Sequence, residues 1–148
     1  MNIFEALRED HDKQRTLLKV LTQTEGDSTG RKEVFERTKT ALQLHAAAEE
    51  RCFYVPLMGA DLTQEKARHS IAEHHEIDEL IETLETTDFS SPGWLTHAKT
   101  LQEVVSHHLD EEEQEVFQMA GKVLSEKQKT SLAKEYREHM QVQQQAVA

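Results

Sequence analysis

The sequence predicts an all-α protein, an up-down-up-down four-helix bundle with an additional short C-terminal helix. Three observations carry this. The 148 residues contain 5 Gly and 2 Pro and are rich in Glu, Lys, Leu, Ala and Gln, a composition of helix formers. Apolar residues recur every three or four positions, and no segment shows the alternation of a half-buried strand. Turn-forming residues cluster at three places between long periodic segments: E-G-D-S-T-G (25–30), G-A-D-L-T (59–63) and T-T-D-F-S-S-P-G (86–93). Short loops between long helices favour antiparallel neighbours.

The segments follow in order: 3–24, 31–58, 64–85 and 92–120, then an amphipathic stretch near 126–140. Pro56 is expected to kink or end the second helix. Ser91 before Pro92 reads as an N-cap with proline at the first helical position. Trp94 reads as an anchor for the start of the fourth helix. Ser125 and Gln128 have capping-box spacing. We expect a single domain, 1–148, with the bundle over about 1–122 and the last helix over about 125–141. That helix, through Leu132, Tyr136 and Met140, is expected to pack across the bundle or mediate self-association.

Bulk properties narrow the function classes. Net charge is −11, which opposes non-specific nucleic-acid binding and docking on anionic membranes. No apolar run is long enough to span a bilayer. The N-terminus turns acidic within its first residues and lacks a signal peptide's apolar stretch, so the expected compartment is the cytoplasm. The sole cysteine, Cys52, excludes an internal disulfide and a cysteine-based zinc site, and it reads as a small core residue. Histidine is the unusual residue, with nine copies.

Their placement is not random. Phe4, Leu7, His11, Gln14, Leu18 and Leu21 form a helical stripe. Ala67, Ser70, His74, Ile77, Ile81 and Leu84 form another, each 63 residues after its counterpart. Thr38, Leu42, His45, Glu49 and Phe53 map by the same offset onto Leu101, Val105, His108, Glu112 and Val116. Residues equidistant from an antiparallel turn lie at equal height, so His11, His45, His74 and His108 are expected to converge at one level. Glu49 and Glu112 lie one turn further along the same faces. His107 and Glu111 share the four-residue spacing and remain an alternative pair, but the offset favours His108 and Glu112. His69, one position from the stripe, points about 100° away, and His75, His97 and His139 read as surface residues.

Two buried carboxylates without compensation would be strongly destabilising. Four imidazoles and two carboxylates around one point are naturally compensated by metal, and the lack of thiolates favours Fe, Mn, Zn or Co over soft ions. Each carboxylate has two oxygens, so two glutamates can bridge two ions.

The stretches E-D-H-D (9–12), H-A-A-A-E-E (45–50), F-Y-V-P (53–56), A-E-H-H-E-I (72–77) and H-H-L-D-E-E-E-Q-E-V-F (107–117) resemble the hemerythrin family, more narrowly its bacterial HHE cation-binding branch. The resemblance covers about residues 1–122. It implies a cofactor of two iron ions bridged by an oxo or hydroxo group, with manganese as the alternative metal. His11, His45, Glu49, His74, His108 and Glu112 match the family's ligand order. It further implies a small-molecule partner (dioxygen, peroxide or nitric oxide); with the charge above, no nucleic-acid or membrane partner is expected, and the chain is expected to be a monomer or homodimer. The expected function is binding or reaction with that small oxidant, leaning away from an enzyme. The alternatives are iron handling or stress repair, and a metal-dependent redox sensor. The sequence departs from the oxygen carriers of the family at Ser70, where those have a further histidine, and at Glu112, where their carboxylate is an Asp one residue later. A ligand-poorer site leaves more open positions and suits reactivity at least as well as carriage.

Overall fold

A computed structural model describes residues 1–147. Helix α1 spans Ile3–Leu21. Asn2 caps it, its side chain accepting from the Glu5 N–H (2.9 Å) while the Glu5 carboxylate accepts from the Asn2 N–H (3.1 Å), a reciprocal cap. The turn after α1 uses Gly26 at φ 56°, a left-handed conformation that favours glycine. Helix α2 is Thr29–Glu49, capped by the Ser28 hydroxyl. Without a break it widens into a π-helical stretch, Glu50–Tyr54, and continues as α3, Val55–Met58. Helix α4 is Gln64–Thr86. Helix α5, Pro92–Glu111, starts at a Ser91 cap, widens into a second π stretch, Glu112–Val116, and continues as α6, Phe117–Val123. Helix α7 is Glu126–Val147. The expected capping box at its start is present, Ser125 N–H to Gln128 Oε1 at 2.8 Å and Gln128 N–H to Ser125 Oγ at 3.1 Å. Gln and Ala after Met140 carry α7 past the expected end, because no breaker follows.

Pro56 neither ends nor breaks the helix at its own position; the helix runs on to Met58. The π stretch before it could be read as an accommodation of the proline ring. Glu112–Val116 shows the same widening with no proline nearby, so proline is not the shared cause. What the two share is a buried glutamate at the junction, Glu49 or Glu112. Single π turns inside α-helices are frequent at functional sites, because the extra residue re-aims the side chains around it.

The core is split into two apolar clusters. One holds Ile3, Leu7, Phe53, Leu57, Phe117 and Tyr136; the other holds Leu18, Phe35, Leu42, Ile81, Trp94 and Leu101 among others. Between them lies a polar layer: His11, His45, Glu49, His74, His108 and Glu112, all buried. Beyond the second cluster, Arg31 ties the first and third turns together. Its guanidinium donates to the Thr24 carbonyl (2.6 Å) and the Phe89 carbonyl (2.6 Å) and lies 4.4 Å from the Trp94 ring centre. Trp94 is fully buried and donates to the Leu84 carbonyl at 3.0 Å, which fixes the start of α5 against the end of α4. Helix α7 lies mainly across α1, α2 and the π stretch Glu50–Tyr54. No helix among the described residues is long and apolar enough to cross a membrane.

Candidate metal centre

The antiparallel hairpins bring the four histidines to one level. Ring centres of His11 and His45 are 5.1 Å apart, and those of His74 and His108 are 4.9 Å apart. The first pair comes from α1 and α2, the second from α4 and α5, so each half of the 63-residue repeat supplies one pair. The two glutamates sit between the pairs, and each turns one oxygen to each side. Glu49 Oε2 is 3.2 Å from His45 Nε2 and 3.7 Å from His11 Nε2, while its Oε1 is 3.2 Å from His74 Nε2. Glu112 Oε1 is 3.1 Å from His11 Nε2, and its Oε2 is 3.5 Å from His108 Nε2. The result is two four-donor groups, His11–His45–Glu49–Glu112 and His74–His108–Glu49–Glu112, sharing both carboxylates.

These spacings suit metal ions. Donors about 2.1 Å from one ion stand about 3.0 Å apart at right angles and about 3.4 Å apart at tetrahedral angles. A second observation agrees. His11 Nε2, His45 Nε2, His108 Nε2, both oxygens of Glu49 and Glu112 Oε1 are buried with no hydrogen-bond partner. So many unsatisfied polar atoms converging at one place would be costly in a core, and a cation between them would satisfy them all. The donor set therefore fits the metal that its chemistry implies.

Titration directions show the same conflict. Burial works to raise Glu49, but the imidazoles of His45 and His11 and its contact with Glu112 outweigh it and hold Glu49 well below the carboxylate range. Burial and the adjacent charge of Glu49 push Glu112 up. Burial works to lower His11, His45 and His74, yet the surrounding carboxylates, Asp10 among them for His45, raise all three, His74 to about 10.

The outward nitrogens are all committed. His11 Nδ1 lies 2.7 Å from Glu113, His74 Nδ1 3.2 Å from Glu50, and His108 Nδ1 2.8 Å from Glu73. His45 Nδ1 lies 2.6 Å from the Tyr136 hydroxyl, which donates to Asp10. Anionic carboxylates only accept, so each Nδ1 keeps its proton, and once the ring is neutral its Nε2 presents a lone pair inward, the tautomer a metal needs. Arg8 and Arg15 brace Glu113 at 3.3 and 3.1 Å. Burial raises the Glu113 carboxyl, but hydrogen bonds from His11 and Arg15 outweigh it and hold it at about 2. On the inner side, the Tyr54 hydroxyl donates to Glu112.

A small cavity of about 10 Å³, lined by Gln14, Leu42, Ala46, Ile77, Asp78 and Val105, opens onto His45, His74 and His108. That is room for roughly one water-sized guest. Gln14 Nε2 is buried there without a partner.

All six residues singled out from the sequence meet in this layer. His107 is exposed and pairs with Glu111 at 3.2 Å, outside the layer. His75 is exposed, whereas His97 and His139, expected at the surface, are partly buried. Cys52 is buried, as expected of a core residue. Sequence reasoning missed the outer ring of Asp10, Glu50, Glu73, Glu113 and Tyr136. A signal was available for the acids: Glu50 and Glu113, and likewise Asp10 and Glu73, are 63 residues apart.

The fold and the layer define a helical-bundle protein built to hold cations in its core. The hemerythrin HHE cation-binding domain family matches residues 2–120, and the chain belongs to that family. The crystal structure of a hemerythrin HHE cation-binding domain-containing protein from Mycobacterium kansasii superposes with a TM-score of 0.86 at 22% identity, covering 95% of this chain and 86% of that one. A protein of Nostoc sp. described as a DNA nickase is 28% identical over 137 residues, covering 93% of this chain. This chain spans 38% of that protein's length.

Proposed function

We propose that the protein is a non-haem di-iron protein that binds or reacts with a small oxidant such as dioxygen, peroxide or nitric oxide. The observation that carries this is the pair of four-donor groups sharing Glu49 and Glu112, an arrangement suited to two ions held side by side. His11 and His45 would hold one ion and His74 and His108 the other, with both glutamates spanning the pair. Nitrogen and carboxylate donors suit iron, with manganese the competing metal. Iron held there would supply one-electron redox chemistry and open coordination positions.

The chain's own residues define what can approach. Leu42, Ala46, Ile77 and Val105 make most of the wall of the adjacent cavity, with Asp78 beside them, and keep it small, which favours a diatomic or peroxide-sized guest over an organic substrate. The unpartnered Gln14 amide offers that guest one hydrogen-bond donor. Gln14 is also where the repeat breaks its own symmetry, since Ile77 stands at the matching position. The two ions would therefore sit in unequal surroundings.

A sensor reading is favoured by one specific observation. Tyr136 joins α7 directly to His45, so a change at that histidine reaches the last helix. Relay through this bond needs no further component of the chain.

The test is to reduce iron-loaded protein anaerobically and mix it separately with dioxygen, hydrogen peroxide and nitric oxide while recording visible spectra. The proposal expects a rapid spectral change with at least one of them. Inertness of the metal-loaded protein toward all three would overturn it.

A further inference from the structure

We propose a second cation site on the outer face of α4 and α5, made by His69, Glu73 and Glu111, for a single divalent transition ion. It is distinct from the buried layer and does not depend on what fills that layer. The sequence places His69–Glu73 and His107–Glu111 at matching four-residue spacings on two antiparallel helices, and this spacing puts each pair on one helical face. The fold sets the two faces side by side.

His69 Nε2 lies 3.5 Å from Glu73 Oε2 and 3.3 Å from Glu111 Oε1, and one donor atom from each of the three falls within 4.8 Å of the others. These lengths bracket the edge of about 3.4 Å expected between donors bound to one tetrahedral ion.

Each carboxylate has one oxygen near another histidine and the other near His69. Glu73 Oε1 accepts from His108 Nδ1 at 2.8 Å, leaving Oε2 for His69. Glu111 Oε2 lies 3.2 Å from the exposed His107 Nε2, while its Oε1 faces His69. Lys66 on the same face pairs with Glu115 at 2.9 Å and also feels the charge of Glu111, and among the described residues no lysine or arginine forms an ion pair with Glu73 or Glu111. Three protein donors leave positions for water, which describes an exchangeable site rather than a closed structural one. One imidazole with two carboxylates selects borderline divalent ions such as Zn²⁺, Fe²⁺ or Co²⁺ over Mg²⁺ and Ca²⁺, which take oxygen ligands. The competing explanation is a plain ion pair in which a protonated His69 bridges Glu73 and Glu111.

Co²⁺ distinguishes the two. The full-length protein and its His69→Ala and Glu111→Gln variants are dialysed at pH 7.5 against graded Co²⁺ with excess Mg²⁺, and bound cobalt and retained iron are counted. The expected result is one more Co²⁺ per chain in the wild type than in His69→Ala. Glu111→Gln should weaken that ion by at least about tenfold, the lower end of what losing even an indirect partner of a metal costs. The difference between proteins isolates the outer ion whatever the buried layer contains, so the result stands apart from the di-iron reading. Equal cobalt uptake by wild type and both variants, or Mg²⁺ displacing the ion at similar concentration, would overturn the proposal.

Discussion

Asp10 and Glu73 stand 63 residues apart at matching positions of the two hairpins, yet they reach their histidines by different routes. Glu73 accepts directly from His108 Nδ1, at 2.8 Å, whereas Asp10 lies 3.9 Å from His45 Nδ1 and the Tyr136 hydroxyl stands between them. Asp is one methylene shorter than Glu, and α7 packs chiefly on the first hairpin. The shorter acid and the extra helix are therefore one feature: α7 supplies the phenol that completes the reach. Burial and the Asp10 charge raise the Tyr136 phenol above its ordinary value, so it stays a donor to Asp10 while accepting from His45.

Tyr136→Phe should keep the ring's packing and remove the bridge. His45 would then lose the partner that fixes its tautomer, and metal retention should fall by about 10- to 100-fold. Competition with a chelator, comparing wild type and variant, measures this. Unchanged retention would mean that α7 covers the site without supporting it.

Gln14→Leu should leave the layer's metal content intact while removing the only amide donor at the cavity. A small anionic probe such as azide, added to the iron-loaded protein, should bind about tenfold more weakly, the scale of one hydrogen bond to a charged acceptor. Optical titration reads the change. Equal affinity in the two proteins would place the guest elsewhere.

The sequence made most of this layer legible because helical stripes and a fixed offset are one-dimensional signals. His11, His45, His74 and His108 share a height since they are equidistant from turns whose residues announce themselves. The outer ring was harder. Glu50 and Glu113 each follow a layer glutamate by one residue, and a position that far round the helix looks solvated until a neighbouring helix is placed beside it. Tyr136 was expected to pack across the bundle, but its bond to His45 could not be read, because nothing in its own segment says which hairpin α7 covers. His69 was rightly placed outside the core by its angle from the stripe. Its carboxylate partner Glu111 belongs to another helix, so the cluster exists only in three dimensions. The π stretches have no clear local signal, and Pro56 near one of them points to the wrong cause.

The raised histidines give the metal-free protein a distinctive pH response. His74 titrates at about 10 in the fold against an ordinary 6.5. A raised value means that its contribution to stability is complete below 6.5 and is lost as pH climbs towards 10. Metal binding runs the other way, since an ion must displace the proton from Nε2. Melting temperature without metal should therefore fall between pH 6.5 and 10, while metal affinity rises across the same window. Thermal melts with and without added metal, each over that range, should diverge as pH increases.

Arg31→Met should test the tie between the first and third turns. It leaves the part-buried carbonyls of Thr24 and Phe89 without their donors, at up to about 1–3 kcal/mol each where water does not replace the lost partner. Urea unfolding should show a lower midpoint, with metal content per folded chain unchanged because the layer lies on the far side of the second apolar cluster. A variant that folds as well as wild type would remove Arg31 from the account of the fold.

The most direct test of the central claim is a metal count. Protein loaded with iron, then desalted to strip weakly held ions, should carry about two ions per chain, as expected when paired carboxylates join two sites in a bundle core. The Glu49→Gln, Glu112→Gln double variant should carry almost none while remaining helical by circular dichroism. One ion or none in the wild type, or equal loading of the double variant, would contradict the reading of this layer as a shared two-metal centre.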